Sequence, residues 1–204
     1  METITGDFGW LQRGLLLCGI VASLLNVATD RLAGGRLKGY RFAVQSMSEL
    51  SAAGSPTRPL VLALTSAAAV LMIAFAAGVW SLAGAAIAPR IVVALVGIHV
   101  AAGLAASVFF PTRFGERPAF LSANVLVMLV SVVCFVSAMI VGAFAFGGWL
   151  RVLSIVIPAG YVLLAVLRFA TAASTAETAS IGAQERTMSY SFLLWVAAVA
   201  VYLL

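Results

Sequence analysis

Acidic and basic side chains are gathered in three polar stretches that separate long apolar segments. Only 9% of the 204 residues are charged, yet each of these stretches holds a glutamate close to an arginine. A carboxylate can act as a general base, and a guanidinium can hold a phosphate through parallel hydrogen bonds. These residue types could therefore bind a lipid headgroup or act on one. The candidate locus comprises Ser48, Glu49, Arg58, Arg113, Glu116, Arg117, Glu185 and Arg186.

The only histidine, His99, lies within a long apolar run, in the stretch "GIHVAAG". An ionisable residue inside a membrane span often marks function. One interpretation is a neutral imidazole hydrogen-bonded to a serine, a threonine or a carbonyl of a neighbouring helix. The other is an axial ligand of a haem or chlorophyll-type macrocycle. One histidine cannot serve both faces of a haem, and the carboxylates lie too far away in depth to complete a zinc site. We therefore expect no metal site and no cofactor.

Other familiar kinds of site find little support. His99 has no acidic residue at its depth, which argues against a Ser-His-Asp arrangement. A phosphate loop of the "GxxxxGK" type does not occur. Lys38, the sole lysine, lies in a polar stretch and cannot form a buried Schiff base. The chain has no soluble basic module, so we expect no nucleic-acid partner.

Long apolar runs must position these residues, and they indicate an integral membrane protein. The chain is 63% hydrophobic, far above the roughly 45–50% of soluble domains. Runs of about 20 apolar residues cross a bilayer as helices, since helices satisfy every backbone polar group internally. We predict an all-α, polytopic transmembrane bundle forming a single domain with six spans. The predicted spans are about 11–29, 59–82, 91–110, 120–145, 150–170 and 189–204.

Basic residues predict the orientation of these spans. With six spans, both termini lie on one side together with three basic residues, and nine basic residues lie on the other side. The positive-inside rule then places the three basic connections in the cytoplasm and both termini outside. The net charge of +5 also favours contact with anionic headgroups.

The first basic connection, residues 30–58, contains several local signals. Apolar residues between 40 and 50 recur at helical spacing, which predicts a short amphipathic helix lying in the interface. Gly54 can then adopt a positive φ, Ser55 can cap the next helix, and Pro56 suits its first turn. Around this bend, Glu49 and Arg58 could form an ion pair. Within the third span, Gly103 and Ser107 are small residues one turn apart that would let helices approach closely.

Three short motifs resemble those of the domain of unknown function 998 family. Family members carry patterns of the type "SELGA-G-P", "FPTD" and "GLVER"; here the corresponding stretches read "SELSAAGSP" (48–56), "FPTR" (110–113) and "GAQER" (182–186). Arg113 replaces the family's acidic residue, and Ser122 and Asn124 lie where a histidine often opens the fourth span. The resemblance implies a six-span protein of a prokaryotic inner (cytoplasmic) membrane and no established activity. It also implies that the polar residues of the first and last motifs form one locus.

Several functions stay open on these observations. The preferred one is a non-catalytic module that binds a lipid or another amphiphile, with membrane lipids as partners. A second is an accessory subunit of a larger membrane complex, with other membrane proteins as partners. A third is an intramembrane enzyme acting on lipid headgroups, with Glu49 or Glu185 as general base. A fourth is a small-solute channel or transporter.

Overall fold

The computed structural model describes residues 9–115, 122–171 and 181–204. Within these ranges the chain forms six α-helices and no strand. They are α1 (Trp10–Arg36), α2 (Arg58–Leu82), α3 (Ile87–Phe109), α4 (Ala123–Ala145), α5 (Gly148–Thr171) and α6 (Ile181–Leu203). A short 3-10 helix, Met47–Ser51, lies between α1 and α2.

The lengths and apolar composition of the helices fit a membrane bundle. Helices α1, α2, α3, α4 and α6 are each long and apolar enough to cross a bilayer, and the shorter apolar part of α5 runs over Gly148–Leu164. The predicted all-helical, multi-pass membrane bundle is confirmed, with five to six spans.

Two helices extend well beyond the apolar runs that predicted them. Helix α1 continues to Arg36, and α6 already begins at Ile181. Asp30 and Arg186 therefore lie inside helices, where the sequence suggested helix ends or loops. They can do so because each side chain neutralises the other. With 23 residues, α6 reaches about 34 Å at 1.5 Å per residue, which is long enough for a bilayer core.

The first loop contains less helix than the periodicity between 40 and 50 suggested. Residues 42–44 form turns, and only the 3-10 helix Met47–Ser51 is helical. The carbonyls of Phe42 and Gln45 accept hydrogen bonds from Arg186, and the carbonyl of Ala43 accepts one from the backbone of Ala183. An α-helix would need these same carbonyls for its own ladder, so contact with α6 replaces it.

Large side chains from several helices fill the core beside glycines. The ring of Phe75 packs against Gly19, and Trp195 packs against Gly142. The indole N–H of Trp195 donates to Ser154 Oγ over 2.8 Å. The close approach of α1 to α2, and the room for the Trp195 ring beside α4, thus depend on missing side chains at two positions.

Candidate functional site

A buried ion pair joins α1 to α6 at the end of the bundle that carries the first loop. Arg186 Nε lies 2.9 Å from Asp30 Oδ2, and Arg186 Nη2 lies 2.8 Å from Asp30 Oδ1. The two side chains are only 6% and 1% exposed. Bidentate geometry of this kind both strengthens and orients the pair. We use the name clasp for Asp30 and Arg186, their partners Tyr40 and Tyr190, and the adjoining contact between Ser46 and Glu185.

Protein groups use all three nitrogens of the Arg186 guanidinium. Nη1 donates to the carbonyls of Phe42, Gln45 and Gly182, and Nη2 also donates to the Tyr40 hydroxyl over 2.6 Å. The guanidinium carbon lies 5.0 Å from the centre of the Phe42 ring, within the range of a cation–π contact. No nitrogen of Arg186 is left without an acceptor, so this residue is ill suited to hold a headgroup phosphate.

Two tyrosine hydroxyls complete the clasp. Tyr190 donates to Asp30 Oδ2, and Tyr40 donates to the carbonyl of Ser46 over 2.8 Å. Burial raises the pKa of Tyr40 to about 12, although its hydrogen bond from Arg186 acts in the opposite direction. The Tyr40 hydroxyl thus keeps its proton and can accept from Arg186 while donating to the loop.

The two candidate catalytic carboxylates, those of Glu49 and Glu185, both contact Ser46. Ser46 Oγ lies 2.8 and 2.7 Å from the two Glu185 oxygens, and the Met47 N–H donates to Glu185 Oε2 over 2.8 Å. Glu49 accepts from the Ser46 N–H over 3.3 Å and from Gln45 Nε2 over 2.9 Å. Ser46 and Glu49 form a capping box at the start of the 3-10 helix. Both glutamates therefore hold the loop in place.

The remaining candidates have separate roles. Arg58 donates through Nη1 to the Ser51 carbonyl, and the predicted Glu49–Arg58 pair is not formed. Ser48 lies close to Ser46, with 2.7 Å between their hydroxyl oxygens. The exposed Arg113 takes part in a parallel backbone bridge with Ala53. Glu116 and Arg117 lie outside the described residues.

The sequence interpretation overlooked the acidic partner of the clasp. The predicted first span ends at residue 29, directly before Asp30, and the sequence interpretation does not include Tyr40, Ser46 or Tyr190 among the site residues. A carboxylate at the edge of an apolar run must be solvated or paired, and this was the available signal. Its partner lies 156 residues away along the chain, so local spacing does not identify it.

A cavity of about 220 Å³ lies beneath the clasp. Helices α1, α2, α3, α4 and α6 surround it, and Met47 of the first loop contributes to its wall. Among the residues that the structure describes, none that lines it is charged, and the lining is mostly apolar. The polar lining residues are Asn26, Thr65, His99, Ser107 and Ser189. Ser189 lies four residues after Glu185, so clasp and cavity share the first turns of α6.

His99 forms one wall of this cavity and bonds to α4. Its Nδ1 lies 2.7 Å from Ser131 Oγ and 3.2 Å from the Ser131 carbonyl. The rings of Phe135 and Phe192 meet the imidazole edge to face, with centroids 5.4 and 4.5 Å away. The hydrogen bond to a serine of a neighbouring helix agrees with the first of the two interpretations. No group of three potential metal ligands occurs within the part of the chain that the structure describes.

Gly103 and Ser107 line the cavity. A side chain built at Gly103 would meet no atom within 4 Å. The expected close helix contact is therefore absent at Gly103, and the small residue leaves space. Sequence alone does not separate these two uses of a glycine in a membrane helix.

The three motif stretches, far apart in sequence, meet at one end of the bundle. Glu185 and Arg186 of the last motif bind the residues directly before the first motif, through Ser46 and Gln45, and the first and second motifs are joined by the backbone bridge between Ala53 and Arg113. Residues 20–202 match the family described as "Protein of unknown function (DUF998)". The chain belongs to this family. No curated protein and no solved structure matches the chain. Within this DUF998 chain, the clasp contains Glu185 and Arg186 of the last motif, and Glu49 of the first motif belongs to the adjoining capping box.

Proposed function

We propose that this membrane protein binds a lipid or another amphiphile, without catalysis, in the cavity beneath the clasp. The supporting observation is the cavity itself, which is already formed, mostly apolar and lined by a few polar groups. Ligand sites in proteins commonly have this composition. The first loop, held by the clasp, helps to form the wall of the cavity.

The cavity volume limits what can enter. Drug-sized ligands occupy pockets of roughly 300–1,000 Å³, whereas an apolar cavity of about 150 Å³ can hold benzene. At about 220 Å³, this cavity accommodates a small amphiphile or one end of a larger one. A complete phospholipid would have to leave most of its length outside.

The cationic surface around the clasp supports contact with headgroups. Arg31, Arg36, Lys38 and Arg41 are exposed near the end of α1 and in the first loop. Basic residues at this position attract anionic lipids. We infer that this face lies in the cytoplasm, in keeping with the positive-inside rule, and that both termini lie on the opposite side. Headgroup contact is then a role for these four residues, since Arg186 is fully occupied.

An enzyme acting on lipid headgroups has less support. A general base must reach the proton that it removes. Glu49 and Glu185 instead accept hydrogen bonds that fix the 3-10 helix. Releasing either carboxylate for catalysis would break hydrogen bonds that hold the start of the 3-10 helix.

A pair of glycine substitutions tests the proposal. Gly103→Leu places a side chain in the cavity. Gly97→Leu makes the same change on the same helix, at a position where a Cβ likewise meets no atom within 4 Å and which does not line the cavity. Native mass spectrometry of protein extracted gently from its own membranes would compare the two with wild type. We expect wild type and Gly97→Leu to retain an amphiphile that Gly103→Leu loses.

Other results would contradict the proposal. Equal retention in all three proteins, or no retained amphiphile in wild type, would reject the cavity as the site. Defined partner polypeptides in place of an amphiphile would favour the accessory-subunit alternative.

A further inference from the structure

His99 carries a polar atom that the protein leaves unused at the cavity. Both of its side-chain hydrogen-bond contacts are made by Nδ1, and within the described residues Nε2 has no hydrogen-bond partner. Among those residues, Arg90 Nε is the only fully buried side-chain nitrogen or oxygen without a partner. The unpartnered Nε2 is therefore accessible, and the cavity is the space that His99 lines.

The contacts of Nδ1 favour a proton on that nitrogen. Nδ1 lies 3.2 Å from the Ser131 carbonyl, and a carbonyl oxygen can only accept. A proton on Nδ1 satisfies this contact and the one to Ser131 Oγ. The serine hydroxyl is then free to donate to the His99 carbonyl over 3.3 Å. The opposite tautomer would set the Nδ1 lone pair against the carbonyl oxygen. This hydrogen-bond network thus leaves Nε2 as an acceptor.

An acceptor in an uncharged, mostly apolar cavity selects among amphiphiles. A ligand hydroxyl can donate to Nε2, whereas an ether, an ester or an alkane has no proton to offer. A charged group is disfavoured because no charged residue lines the cavity, within the described part of the chain, to offset its desolvation. The space beyond His99 is bounded by apolar side chains such as Met72 and Leu193, which suit a hydrocarbon body.

We infer that the cavity binds a neutral amphiphile through a hydroxyl group, alcoholic or phenolic, which donates a hydrogen bond to Nε2 of His99. This inference rests on the proposed amphiphile-binding function and adds the chemical class of the ligand. His99 is then the residue that determines specificity. The apolar lining residues, such as Met72 and Leu193, supply surface that binds any hydrocarbon of suitable size.

Two isomeric probes separate the hydroxyl from the rest of the ligand. The compounds n-octanol and heptyl methyl ether have the same atoms, but only the alcohol has a hydroxyl donor. The protein would be studied as the full chain in lipid nanodiscs, purified without a histidine tag. Because His99 is the only histidine, labelling histidine with nitrogen-15 gives the NMR signals of a single ring. Methyl-labelled methionines report occupancy, since Met47 and Met72 line the cavity while Met128 is exposed on α4.

The expected result has three parts. Both probes shift the Met47 and Met72 signals and leave Met128 as a measure of general partitioning into the membrane. Only n-octanol shifts the Nε2 signal, and it binds roughly two- to tenfold more tightly than the ether, as one net hydrogen bond allows. We expect His99→Phe to remove the preference for n-octanol over the ether while keeping the methionine shifts. Gly103→Leu should remove both the preference and the methionine shifts.

Failure of the inference differs from failure of the proposed function. If both probes shift Met47 and Met72 with equal affinity and leave Nε2 unchanged, the hydroxyl inference is wrong and amphiphile binding stands. A proton found on Nε2 would likewise overturn the inference. If neither probe shifts the cavity methionines beyond the change at Met128, the amphiphile-binding function fails and the inference fails with it.

Discussion

The clasp and the cavity wall at His99 both bury polar groups within one helix bundle. In the clasp, both oxygens of Asp30 and all three guanidinium nitrogens of Arg186 have partners. At His99, one ring nitrogen has partners and the other has none within the described residues. A fully paired cluster rigidifies a structure, whereas an unpaired acceptor beside open space can still gain a partner. Residual hydrogen-bonding capacity therefore separates the structural cluster from the candidate binding site.

The two regions are also mechanically connected. Glu185 of the clasp accepts from the backbone of Met47, and the Met47 side chain lines the cavity. Loosening the clasp would change one wall of the cavity, whereas changing the cavity need not disturb the clasp. Substitutions in the two regions should thus differ in their effect on stability, and the following predictions test that difference.

The largest effect is expected from Arg186→Met. This change leaves the carboxylate of Asp30 buried without a countercharge, and breaking a buried pair on one side typically costs about 3–5 kcal/mol. Unfolding of the purified protein in mixed micelles, followed by circular dichroism, would measure the loss. Arg31→Met is the matched control, because exposed Arg31 makes cation–π contacts with Phe42 and Tyr190 and should cost about 1 kcal/mol or less. Equal losses of unfolding free energy in the two variants would show that the buried ion pair stabilises the fold no more than an exposed arginine does.

A smaller loss is expected from Gly182→Ala. A side-chain carbon at this position would overlap the carbonyl oxygens of Phe42 and Gln45, so the first loop would have to move away from α6. Overpacking of this kind costs roughly 1–3 kcal/mol. The same unfolding assay applies, with Gly97→Ala as control, since that position has open space and gains helix propensity. Unchanged stability in Gly182→Ala would show that the loop contact is loose.

Sequence reasoning reached the helical membrane bundle, but it did not assign the roles of the polar residues within it. Apolar runs predict helices because the bilayer requires internal hydrogen bonding. The sequence indicates that Gly54 can adopt a positive φ, and its φ is 89°. The pairing of Asp30 with Arg186 depends instead on how α1 packs against α6. Before that packing is known, an ion pair between Glu49 and Arg58 is as reasonable as one between Asp30 and Arg186.

The cavity was the least predictable feature. Small residues in membrane helices favour close approach in general, yet Gly103 leaves space. The difference arises from the residues opposite: Phe75 fills the gap at Gly19, whereas nothing fills the gap at Gly103. A vacancy is a property of several helices together, so no local pattern encodes it.

Alkaline pH should weaken the clasp through Tyr40. Its pKa is about 12 in the folded protein and 10.0 in the ordinary state, mainly because burial disfavours the phenolate. Between these values the unfolded chain loses the proton first, so the contribution is complete below pH 10 and is lost as the pH rises toward 12. We expect the free energy of unfolding to fall over this range, and to fall less steeply in Tyr40→Phe. Identical slopes in the two proteins would mean that Tyr40 is not coupled to folding.

The smallest effect on stability is expected from His99→Phe. The substitution removes one net hydrogen bond, worth about 0.5–1.5 kcal/mol, and places an apolar ring among Phe135 and Phe192 that offsets part of that loss. Ser131 keeps its contact with the backbone carbonyl of residue 99, so no buried hydroxyl is stranded. We expect unfolding in the absence of ligand to change by about 1 kcal/mol or less. A loss as large as that of Arg186→Met would make His99 a structural residue, because a group kept for binding should be dispensable for folding until its ligand is present.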